Sequence, residues 1–128
     1  MFASFEKDYI MRLVREMVRM LLKLLFNVDV ERDMEEVIKE AESEEDLKRL
    51  ITMLDDGYIN EAENELYELI GEGDRAYLKT ALMFYYHLAT KDESFLISHG
   101  YTMQEVKEGV DNLVEIYKID DIAQMFMA

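Results

Sequence analysis

Along residues 5–26 apolar side chains return at every third or fourth position, with Ile10, Leu13, Val14, Met17, Val18, Leu21, Leu24 and Leu25 on one side of a helical projection and Arg12, Arg15, Glu16, Arg19 and Lys23 on the other. At about 100° per residue the charged set spans roughly 100° of arc and the apolar set a wider one, roughly 140°. This pattern predicts a long amphipathic N-terminal helix. Helical spacing continues through the rest of the chain, proline is absent, and only five glycines interrupt it, so helices meet few breakers. Alternating runs rich in Val, Ile and Thr, the mark of half-buried strands, are missing.

Turn and cap residues divide the remaining chain. A second helix is expected over 30–41. Ser43 with Asp46 in the first turn opens a third, which ends near Asp56 with Gly57 as its stop. A fourth over 60–70 is closed by Gly71-Glu72-Gly73-Asp74, and Asp74 caps a fifth reaching residue 90. A short turn of helix over 93–98 follows. Thr102 with Glu105 forms a capping box for a helix reaching 117, and a stub over 120–127 ends the pattern.

The turn at Gly57 carries the most specific signal. Gly57-Tyr58-Ile59-Asn60-Glu61-Ala62, followed by Leu66 and Leu69, resembles the second helix of a tetratricopeptide repeat: a turn glycine, a bulky residue two later, a small alanine five later, then bulky residues down the same face. Leu47, Leu50, Ile51 and Leu54 supply the apolar face of the first helix of that pair. The match covers 43–71 and departs from the repeat at Leu69, where a second alanine is usual, and in lacking a terminal proline. One such hairpin cannot bury its own face, so flanking helices must cover it. The fold expected is therefore all-α: a right-handed array of antiparallel helical hairpins with tetratricopeptide-like geometry and a long amphipathic N-terminal helix. The 128 residues fit a single domain, organised as N-terminal helices over 1–42, the hairpin over 43–71 and C-terminal helices over 74–128.

Taken whole, the chain resembles a bacterial family of small helical proteins of unknown function. Asp8-Tyr9-Ile10-Met11-Arg12, Asn60-Glu61-Ala62-Glu63-Asn64 and the segment from Phe95-Leu96 to His99 carry the resemblance. It implies a helical fold and no particular activity.

Composition narrows the function classes. The chain has no cysteine, which excludes disulfides, thiolate metal sites and cysteine nucleophiles and suits a reducing cytosol. Residues 1–27 hold five Lys/Arg against three Asp/Glu, leaving 9 of the 14 basic and 26 of the 29 acidic residues to the other 101 positions, a net of −17. So acidic a body argues against nucleic acid, because phosphate neutralisation needs clustered cations. The basic residues at every third or fourth place in the first helix also break any secretory or membrane-spanning run. A cytoplasmic, soluble protein is expected.

No constellation assembles a catalytic or metal site. Aligned on a calcium loop, Gly57 takes the sixth position, Asp56 the fifth and Glu63 the twelfth, but Thr52 and Leu54 fall on the first and third ligand positions, where a hard cation needs carboxylates. His87 and His99 lack a second histidine or a carboxylate three or four residues on. Glu61, Glu65 and Glu68 share a helix face, as Glu42 and Glu45 do across a cap, but no Glu-x-x-His accompanies them. The Gly71-Glu72-Gly73 turn lacks the lysine of a phosphate cradle. No cofactor and no enzyme activity are expected. Tyr85, Tyr86 and His87 form a candidate aromatic pocket, although neighbouring aromatics on a helix tend to pack into different partners.

The first helix supplies the candidate interaction face: Arg12, Arg15, Arg19 and Lys23 with Leu13, Met17, Leu21 and Leu24. Its apolar arc is too wide for one neighbour, so it is sandwiched between two helices, shared with a second copy in a homodimer, or laid on a membrane. Ten methionines, among them Met11, Met20 and Met125, add adaptable side chains suited to contacts. The expected function is a non-enzymatic protein-interaction or assembly module, with a protein partner or a second copy. The alternative is a peripheral membrane adaptor attached through the first helix, which the acidic body opposes.

Overall fold

The computed structural model describes residues 2–30, 34–39 and 44–120. Among these, seven α-helices and one 3-10 turn follow in order: α1 (Phe2–Phe26), α2 (Met34–Lys39), α3 (Glu44–Asp55), α4 (Ile59–Ile70), the 3-10 turn Arg75–Tyr77, α5 (Leu78–Leu88), α6 (Glu93–Ser98) and α7 (Met103–Ile116). No strand occurs among the described residues.

Helix ends follow the expected chemistry with local differences. Thr102 Oγ1 accepts from the Glu105 amide at 3.1 Å and opens α7. Asp74 accepts from the Ala76 amide at 3.0 Å, but it caps the 3-10 turn, and α5 begins only at Leu78. At the end of α3 the Gly57 amide donates to the Leu54 carbonyl and the Tyr58 amide to the Met53 carbonyl, while Gly57 adopts φ +91°. That pair of bonds around a left-handed residue is a helix-closing motif that glycine adopts without steric cost. The Ser43 cap and the stub over 120–127 fall outside the described residues, apart from Asp120.

The centre of the molecule is α5, not α1. Leu78, Ala81, Leu82, Met83, Phe84, Tyr85 and Leu88 are buried all around its circumference, as expected of a helix enclosed by others. It touches α1, α3, α4 and α7. The wide apolar face of α1 is covered within the chain, because α1 packs on both α5 and α7 and buries Met11, Val14, Met17, Val18, Leu21 and Leu22. Arg15 donates to the Ala89 carbonyl at 2.9 Å, placing a cation at the C-terminal end of α5, where exposed carbonyls and the helix dipole favour it. Leu47, Leu50 and Leu54 of α3 and Ile59, Ala62, Leu66 and Ile70 of α4 are buried where the two helices pack together and against α5. All described helices feed one contiguous apolar core.

Candidate functional site

Three places combine charge, exposure or buried polarity. The first is the outward flank of α1. Tyr9 and Leu24 are 59% and 55% exposed, and Leu13 and Met20 between them are half-buried. On a helical projection these four lie within an arc of about 60°. Arg12, Glu16 and Lys23 are exposed along one edge, and Arg19 binds Glu16 at 2.8 Å. That guanidinium holds the Glu16 carboxyl below its ordinary range against a slight opposing effect of burial. A hollow of about 100 Å³ beside it is lined by Arg19, Lys23, Val28 and Asp29. Of the eight candidate residues on this helix, Met17 and Leu21 are withdrawn into the core. Arg15 is tied to α5 and the half-buried Arg19 to Glu16, which leaves Arg12, Lys23, Leu13 and Leu24 on or beside the surface. Tyr9 and Met20 join them, and the exposure of Tyr9 was not foreseen.

The second place is a buried polar cluster. Glu63 Oε2 accepts from the Tyr85 hydroxyl at 2.6 Å and from the Tyr101 hydroxyl at 2.7 Å, and Tyr85 reaches the Tyr67 hydroxyl at 3.3 Å. Burial first, then the neighbouring Glu63 carboxylate, drives the phenol pKa of Tyr85 far above its ordinary value. Tyr101 is displaced in the same direction for the same reasons. Both therefore remain protonated donors. Gly109 of α7 makes room for this arrangement, since a Cβ there would overlap the Tyr85 ring. A hollow of about 140 Å³ opens beside the cluster, lined by Glu63, Tyr67, Tyr101, Glu105, Glu108 and Asn112. One oxygen of the Glu63 carboxylate accepts from both phenols.

The third place is a seam where α5 and α6 meet the α3–α4 turn. His87 Nε2 lies 2.7 Å from Asp55 Oδ1, and Lys91 binds the same oxygen. Burial raises the Asp55 pKa, but the hydrogen bonds from Lys91 and His87 outweigh it and hold the carboxyl below its ordinary value. The Lys91 ammonium stands 5.1 Å from the Phe95 ring centroid, and Phe95 contacts the His99 ring at 4.5 Å. His99 Nδ1 bonds the Phe95 carbonyl at 2.7 Å, and the far side of its ring rests against Gly57.

The aromatic trio does not make one pocket. Tyr85 points to Glu63, whereas His87 points to Asp55, so the two leave α5 in different directions; Tyr86 is half-buried against the core. The calcium alignment is also resolved, because Glu63 faces the tyrosines. Among the described residues no three His, Asp or Glu side chains are placed to hold a metal ion. Nor is any described helix long and apolar enough to cross a membrane. Of the acidic face, Glu61 and Glu68 are exposed and Glu65 binds Arg49 of α3.

Sequence reasoning weighed Glu63 only as the last position of a calcium loop, although another signal was present. It falls among Ile59, Ala62, Leu66 and Ile70, the buried stripe of α4, and a carboxylate in such a stripe must find donors or remain costly. The Asp55–His87 pair left no comparable trace, because its members are 32 positions apart.

No curated protein and no solved structure matches the chain. A family model does: residues 4–118, nearly the whole length, match DUF6483, a family of unknown function, and the chain belongs to that family.

Proposed function

We propose that this protein is a non-enzymatic interaction or assembly module working in the cytoplasm, and that its contact surface is the outward flank of α1. The observation that carries this reading is the exposure of Tyr9 and Leu24, 59% and 55%, on a helix whose opposite face is fully engaged by α5 and α7. Large apolar side chains left in a row beside cations are suited to contact, since aromatic and aliphatic anchors with an arginine rim supply most of the energy of protein interfaces. The pairing of α3 with α4 around Gly57, with Ala62 buried at the close approach, supports a tetratricopeptide-like hairpin as part of a rigid frame that holds α1 in place. The two polar clusters serve that frame: one satisfies buried phenols, and the other ties α5 to the end of α3.

A peripheral membrane adaptor would use the same flank, but the formal net charge of −15 opposes approach to anionic lipid. The test is a photo-crosslinking amino acid placed at Tyr9 or Leu24, with a control at the equally exposed Tyr58. Protein adducts in the cytosol from the α1 positions and not from the control support the module. Lipid adducts, or flotation with anionic vesicles, would replace it with the membrane reading, and no adduct of either kind would refute both.

A further inference from the structure

We draw no further inference here: the strongest candidate, the hollow between α4 and α7 beside the buried tyrosines, where Glu63, Glu105 and Glu108 come together, is a cluster of carboxylates with no second feature among the described residues that points to a ligand.

Discussion

The His99 imidazole lies directly over Gly57, in the space that any side chain at that position would need. Two independent demands therefore converge on one residue: the left-handed turn that closes α3, with φ +91°, and the approach of a ring from the end of α6. Gly57→Ala meets both penalties, a strained backbone and an overlap with His99. We expect a loss of about 1–3 kcal/mol, read as a lower urea midpoint with an unchanged slope. Adding His99→Ala should recover part of it, since only the overlap is relieved. Full recovery would show that the backbone conformation costs nothing here.

The Glu63 cluster gives a second expectation. Glu63→Leu removes the short bonds of the Tyr85 and Tyr101 hydroxyls to Glu63 Oε2 and leaves them only the longer contacts to the Tyr67 hydroxyl at 3.3 Å and the Glu105 carbonyl at 3.4 Å. The cost should be about 3 kcal/mol. Glu63→Gln keeps a carbonyl oxygen in the same place and should lose only about 1 kcal/mol, the difference between charge-assisted and neutral bonds. Equal losses in thermal unfolding for the two variants would mean that the bonds do not form. Gly109→Ala, which presses a methyl group into the Tyr85 ring, should cost about 1–3 kcal/mol through overpacking of the same site.

These two clusters also show what could be read from residues in order. The bounds expected for α6, 93–98, match Glu93–Ser98, and the Thr102–Glu105 box opened α7 as expected, because cap chemistry is local and is written within four residues. The carboxylate in the apolar stripe of α4 was legible but went unused. The seam was not legible: Asp55 lies on α3, His87 on α5 and Lys91 in the turn after α5, and spacing along a chain encodes faces of one helix, not which helix lies beside it. For the same reason the wide apolar arc of α1 left three covers open: two helices of the chain, a second copy or a membrane. Its two neighbours, α5 and α7, are supplied by the far half of the chain, and only a narrow flank remains open.

The Asp55 seam has a pH signature with a definite sign. The folded carboxyl lies below its ordinary pKa because Lys91 and His87 donate to it, more than offsetting burial. A group with a depressed folded pKa contributes stability above its unfolded value, near about 3.9, and loses it as pH falls through the folded value. Asp55 is close to half exposed, so solvent screening keeps the contribution to about 0.5–1 kcal/mol. Asp55→Asn should be less stable than the parent by that amount at pH 7, and the two urea midpoints should converge as the pH is lowered past 3. A gap that persists at pH 2.5 would assign the loss to packing.

Arg15 tests how α1 is fastened to the central helix. Its guanidinium leaves the candidate face and donates to the Ala89 carbonyl at the end of α5. There it satisfies an acceptor that helical bonding leaves open and sits at the negative end of the helix dipole. Arg15→Met retains most of the aliphatic stem and removes both effects, so the loss should be about 1–2 kcal/mol. Arg15→Lys can restore the charge but has a shorter, single-headed donor, and should recover only part. Exchange of the amides of α1 should accelerate in Arg15→Met while those of α4 stay protected, because the contact joins α1 to α5 and leaves the α3–α4 pair untouched. If both helices lose protection equally, α1 and the rest of the core open as one unit and the bond to Ala89 is no local clasp.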